Sequence, residues 1–179
     1  PEFVNLDVPQ GIPMDIFPLD GCPKSSFARK IQMKDAMLYS LYSAQVVPKN
    51  HGGIVALGSK ILLGLAPKKM RYKLCRHYEK KMSKYSFKES EYVTELCAGP
   101  HYMRNQYPRS AFDSAVYLEF EGMDMPIPVG YDEYLKTAFG DYMTMPPKEK
   151  QKAHHDLVFA DLHNSYKKYK GKYYCKEKQ

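Results

Sequence analysis

Apolar residues first gather near the start of the chain, where Ile12, Met14, Ile16 and Leu19 suit a buried strand over residues 11–19. Pro13 and Pro18 keep that strand short, and Pro18 biases Phe17 away from helix. One acid, Asp15, interrupts the run, and a buried carboxylate needs compensation. Either it accepts backbone or arginine hydrogen bonds in a core, or it faces a cleft and holds a divalent metal, because hard cations prefer carboxylate oxygens. Asp20-Gly21 reads as a turn.

From Phe27 the spacing of Ala28, Ile31, Ala36, Met37, Leu38, Leu41, Tyr42 and Ala44 predicts an amphipathic helix to about Gln45. Ser25 or Ser26 caps its first turn, and Val46, Val47 and Pro48 end it. Arg29, Lys30 and Lys34 lie within about one and a half turns of this helix. They form a solvated face or, in an enzyme handling a nucleotide diphosphate, reach phosphate. His51-Gly52-Gly53 breaks the chain. Residues 54–65 predict a helix that is apolar nearly all round. Residues 68–85 predict a basic helix, with Met70, Leu74, Tyr78 and Met82 on a drifting stripe. The pair reads either as a membrane-surface hairpin or as a helical subdomain with a solvated charged face.

Beyond these helices the period shortens. Residues 91–97 predict a strand with Tyr92, Thr94 and Leu96 on one side, and residues 101–109 predict an irregular segment. There His101, Tyr102 and Arg104 are either a binding edge beside the strand end or a surface loop. The run AVYLEF alternates well and predicts a strand with Val116, Leu118 and Phe120 on one face. Glu121-Gly122 turns it back into a short edge strand over residues 123–128. A helix follows over residues 130–139, with Tyr131, Tyr134, Leu135 and Ala138 inward and Gly140 at its end. Residues 148–168 predict a terminal helix with His154 and His155 near its start, and residues 171–179 a frayed basic tail.

Composition narrows the classes. The 179 residues suit one domain with a real core, residues 1–179, within which residues 24–85 form a helical subdomain. A net charge of +7 fits nucleic acid, anionic lipid or phosphorylated ligands. No zinc-finger or RNA-binding signature occurs, so no nucleic-acid partner is expected. The four cysteines lack C-x2-C spacing, which argues against a zinc site and for free thiols in a reducing compartment. No apolar stretch reaches the ~20 residues that cross a bilayer.

DIFPLDG, from Asp15 to Gly21, resembles the central signature of the LicD family, which includes the fukutin-related proteins. Residues 118–147, LEFEGMDMPIPVGYDEYLKTAFGDYMTMPP, resemble that family's ending. Members are similar to nucleotidyltransferases in fold. They move phosphocholine or a polyol phosphate from a CDP-linked donor to a cell-surface or secretory glycan. The resemblance implies an α+β chain with a partial nucleotidyltransferase-like fold, a short mixed sheet and a helical insertion. It implies Mg²⁺ or Mn²⁺ as cofactor, a CDP-choline or CDP-polyol donor and a glycan acceptor. It also implies a cytoplasmic site of action, with contact at the inner face of the membrane left open. Asp15 matches the family's further carboxylate and would be the catalytic residue, as a metal ligand or as the base near the acceptor. Arg29, Lys30, His101, Arg104 and His155 are the candidates for holding the donor. Glu119 or Glu121 would lie near the active-site floor or simply build the hairpin. The family's Gly-rich start and DDDID acid cluster do not occur in these residues. The chain therefore resembles the C-terminal part of a longer enzyme, incomplete by itself. The contrasting reading is a noncatalytic glycan- or membrane-binding module from a degenerate member.

Overall fold

The computed structural model describes residues 5–11, 14–48, 52–151 and 159–176. They form an α+β structure. The chain divides into two compact units, one made of Pro1–Ile16 with Met143–Gln179 and the other of Phe17–Tyr142.

The Phe17–Tyr142 unit holds every element that follows. In chain order these are β1 (Asp20–Gly21), α1 (Ser26–Ala44), α2 (Gly53–Leu65), α3 (Lys68–Met82), β2 (Tyr92–Thr94), β3 (Tyr107–Pro108), β4 (Ala115–Phe120), β5 (Met123–Pro128) and α4 (Tyr131–Phe139). One sheet has the order β1-β2-β3, and β4 pairs with β5 in a separate hairpin. Asp20 faces Thr94, and Val93 faces Tyr107. All of these pairings are antiparallel, where a mixed sheet was expected. Strands of two or three residues have little pairing to share, and antiparallel bonds are the stronger per residue.

The helices follow their apolar spacing. Ser25 caps α1 by accepting from the Ala28 amide, and Gln45 ends it in the left-handed region at φ 56°. One side of α1 packs along α3. Ala36 meets Met82 and Leu96, while Leu41 and Tyr42 meet Leu63, Leu74 and Tyr78. The Tyr42 and Tyr78 rings stack with centroids 5.9 Å apart. Arg71 fixes the corner between α2 and α3 by donating to the carbonyls of Leu63 and Ala66, each at 2.8 Å. A cation there satisfies the open C-terminal carbonyls of α2.

The polar heart of the unit is Arg29 with Gln32, one turn apart on α1 and both buried. Arg29 donates to Gln32 Oε1 at 2.9 Å, to Thr94 Oγ1 at 2.8 Å and to the Met103 carbonyl. Gln32 donates to the carbonyls of Gly21 at 2.8 Å and Met82 at 3.0 Å. Two side chains thus tie α1 to β1, β2, the end of α3 and the turn Tyr102–Arg104. Arg29 is therefore buried, not part of the solvated basic face predicted for it. Two glycines allow close approach beside this framework. A Cβ on Gly21 would stand 2.3 Å from Ser90 Oγ and 2.6 Å from the Ser86 carbonyl, and one on Gly130 would stand 2.4 Å from Ala111 Cβ.

Two expectations are corrected. Residues 14–19 form no strand, and Met14, Asp15, Ile16 and Phe17 are exposed; pairing begins only at Asp20. Proline removes ladder donors from this run, and the solvated Asp15 carboxylate needs no buried partner. Ile12 and Pro13 lie outside the described residues. The terminal helix over residues 148–168 is also not found among the described residues. Lys148–Lys150 and Tyr166–Tyr169 are single 3₁₀ turns. Asp161 accepts from the backbone amides of His163 at 2.7 Å and Asn164 at 3.1 Å. That side-chain capture competes with a helical ladder. Within the same unit Phe159 stacks on Tyr173 with centroids 4.4 Å apart, and Lys170 pairs with Asp7 at 2.5 Å.

The clamp gives a direct stability test. Gln32→Met keeps the side-chain volume but strands the Gly21 and Met82 carbonyls and one Arg29 donor, and should cost about 3 kcal/mol in urea unfolding. Lys30→Met, two residues earlier and exposed, should change stability by no more than about 0.5 kcal/mol. Equal stability of the two variants would remove the clamp from the account.

Candidate functional site

β2 sets the site. Thr94 is held from one side by Arg29, and the next residue, Glu95, is buried at the floor of a cleft. Tyr107, at the start of β3, donates to Glu95 Oε2, and Tyr134, on α4, donates to Glu95 Oε1, both at 2.9 Å. Asn105 steadies the first hydroxyl by donating to it at 3.1 Å. The Tyr107 and Tyr134 rings lie 4.7 Å apart, and Phe112 meets the Tyr134 ring edge-on at 5.9 Å. Burial, then the adjoining Glu95 carboxylate, pushes the Tyr134 hydroxyl up to about 12. The same causes push Tyr107 up strongly, with burial the larger. Both phenols therefore remain protonated donors to an acceptor carboxylate.

The cleft encloses about 390 Å³. Its walls are Phe17 and Leu19, then Phe112, then Ile127 and Pro128 from β5, and Tyr131, Tyr134 and Leu135 from α4. It is a mostly apolar, aromatic pocket with one acid at its base. Phe17 and Leu19 come from the DIFPLDG stretch, and Ile127 to Leu135 from PIPVGYDEYL, so the two stretches singled out in the sequence meet here. The second stretch is braced on the outer side of α4. There Asp132 accepts from Lys136 at 2.6 Å and from Tyr142, of the GDY triplet, at 2.8 Å. The bond from Lys136 and then that from Tyr142 hold the Asp132 carboxyl below its usual range.

Of the site residues named from the sequence, those described within the Phe17–Tyr142 unit do not line this pocket. Asp15 is exposed and belongs to the other compact unit. Arg29 spends its guanidinium on Gln32, Thr94 and Met103, and burial lowers its pKa. Lys30 is exposed on α1. His101 and Arg104 are exposed at the turn Tyr102–Arg104, and the His101 ring meets Tyr102 edge-on at 5.3 Å. Glu119 and Glu121 are exposed on the β4–β5 hairpin, away from the cleft lining, and Glu121 takes the left-handed turn position at φ 51°. His155 lies outside the described residues, as do His154 and His51. Among the described residues, no three His, Cys, Asp or Glu stand close enough to hold a metal ion. The described donor set thus does not fit the divalent cation that the resemblance implies. None of the four cysteines is in a disulfide.

Glu95 was the missed residue. Its signal was an acid directly after Val93-Thr94, where the flanking apolar residues demand burial. Asp20 was missed as well. It pairs in β1 in place of the expected plain turn, and burial raises its carboxyl from 3.8 to about 6. Burial also pushes the Cys22 and Cys97 thiols up, with a smaller contribution from Asp20.

No model of a known protein family matches the chain, and no solved structure matches it. The α+β arrangement therefore stands without a structural tie to the nucleotidyltransferase fold. Among curated proteins it is similar to the lipopolysaccharide cholinephosphotransferase LicD of Haemophilus influenzae, with 37% identity over 73 residues. That stretch covers 40% of this chain and 28% of LicD, so the match spans under a third of that relative. It supports a relation to LicD at the level of the family.

Asp20 supplies a pH test. Its folded pKa of about 6 exceeds the ordinary 3.8, so between those values the folded state binds more protons than the unfolded. Stability from this group is therefore greatest below pH 4 and falls as pH rises through 6. Asp20→Asn should remove that loss. After discounting for partial exposure, it should be more stable than the parent by about 1 kcal/mol at neutral pH and not at pH 4. Parallel thermal melts across this range check it; a difference between the proteins that does not change with pH would count against a buried carboxyl at this position.

Proposed function

We propose that the chain is part of a LicD-like transferase that moves phosphocholine from a CDP-linked donor to a glycan, and that the Glu95 cleft receives the choline head group. The observation that carries this reading is the meeting of DIFPLDG and PIPVGYDEYL at one aromatic pocket over a buried acid. A trimethylammonium group is cationic yet cannot donate hydrogen bonds. It suits aromatic faces with a carboxylate nearby. A polyol needs many polar partners, and the side chains lining this cleft are mostly apolar. The similar Haemophilus protein is a cholinephosphotransferase, which points the same way.

In this reading the framework residues have separate tasks. Glu95 supplies the negative charge. Tyr107 and Tyr134 fix its orientation, and Phe17, Phe112 and Tyr131 exclude water around the methyl groups. Asp15 is the carboxylate that serves the acceptor in the complete protein. Lys30, His101 and Arg104 remain exposed cations or imidazoles available to a diphosphate.

Calorimetric titration with choline, CDP-choline and CDP-ribitol distinguishes the head groups. Choline should bind weakly, with Kd on the order of 1 mM, and CDP-choline should bind better than CDP-ribitol. Glu95→Gln should weaken both choline ligands about tenfold, whereas Glu119→Gln on the hairpin should leave them unchanged. Preference for CDP-ribitol, or choline binding indifferent to Glu95, would contradict the assignment.

A further inference from the structure

The outer face of α2 is inverted relative to that of an ordinary surface helix. Its buried positions are Ser59 and Leu63, a narrow stripe one turn apart. On the opposite side stand Ile54, Leu57, Ile61 and Leu65, spaced to fall on one face. These side chains are 90, 61, 51 and 77% exposed, and Val55 and Leu62 widen the strip. The helix carries a single charge, Lys60. Monomeric proteins rarely leave such a continuous apolar face in water.

The next helix carries the opposite chemistry. Along α3, Lys68, Lys69, Lys73, Lys80 and Lys81 are exposed, while Glu79 is the helix's sole acid and is taken by Arg76. Arg71 holds the start of α3 against the end of α2, so Leu65 and Lys68 flank one fixed corner. From these observations we propose that α2 and α3 form a docking surface for an anionic lipid bilayer. The apolar face of α2 would lie in the interface plane, and the lysines of α3 would meet the head groups.

Three features favour a bilayer. α2 has 13 residues and would measure about 20 Å. That is too short to cross a hydrocarbon core of about 30 Å, and among the described residues no helix is long and apolar enough to do so. Lying flat is therefore the geometry open to it. A second copy is disfavoured on charge, because it would bring together two chains that each carry a net charge of +7. An anionic membrane supplies apolar depth and negative charge in one plane. The proposal does not depend on the function of the Glu95 cleft.

Vesicle flotation of the full chain tests it, comparing phosphatidylcholine vesicles with vesicles also containing phosphatidylserine. The serine lipid should increase binding by at least about tenfold, and added salt should weaken it. A choline-binding cleft would favour the pure phosphatidylcholine vesicles, so the direction of preference separates the two surfaces. The double substitution Leu57→Asp and Ile61→Asp, at exposed positions, should abolish flotation while the circular dichroism spectrum is retained. Lys69→Glu with Lys73→Glu should do likewise. The proposal is overturned by absence of binding to the phosphatidylserine vesicles or by binding indifferent to Leu57 and Ile61. It is also overturned by light scattering that shows a dimer dissociated by Ile61→Asp.

Discussion

A buried guanidinium determines how this protein is built. Arg29 enters the interior on α1, where its two terminal nitrogens donate to neutral acceptors, the amide of Gln32, the hydroxyl of Thr94 and the carbonyl of Met103, while its buried Nε has no partner among the described residues. Desolvating a cation is expensive, so these acceptors must stay in place for the fold to hold. Gln32 extends the same network to Gly21 and Met82. The short strands β1 and β2 could not hold their positions by pairing alone. Held from α1, they keep Thr94 on the inner side and Glu95 at the floor of the cleft. The site thus depends on the clamp even though Arg29 does not line the cleft.

This division of labour explains what could be read from the sequence. The helical periods over α1, α3 and α4 were clear because each repeats one face, whereas α2 was read from an apolar run; the Ser25 cap and Gly140 stop mark the ends of α1 and α4. The β4–β5 hairpin was equally clear from its alternation and the Glu121-Gly122 turn. Arg29 was misread because it was grouped with its neighbours Lys30 and Lys34, and nothing local signals that distant acceptors await it. Glu95 was missed for the same reason. Its partners, Tyr107 and Tyr134, stand 12 and 39 residues away. The run before Asp20 failed as a strand because hydrophobicity was weighed above the proline that denies it a ladder. Among the described residues the terminal helix is absent around Asp161, which offers the backbone a different set of bonds.

The resemblance and the geometry illuminate different parts of the protein. DIFPLDG and the GYDEYL block drew attention as strings of letters, with Asp15 as their chemical centre. In the folded unit Phe17 and Leu19 of one string and Tyr131, Tyr134 and Leu135 of the other line one pocket, and Tyr142 bonds to Asp132 on α4. The glycines of the two strings, Gly21 and Gly130, stand where any side chain would collide with Ser90 or Ala111. Much of each motif is thus architecture that shapes this cleft. A choline-sized cation over a buried acid is the ligand we propose for this cleft.

The most direct test of that claim is magnetic resonance of the chain saturated with choline, reading nuclear Overhauser contacts from the nine equivalent methyl protons. The account predicts contacts to the rings of Phe112, Tyr131 and Tyr134 and to the methyls of Leu19 and Ile127, all lost in Glu95→Gln. Contacts confined to other residues, or none at saturation, would contradict it.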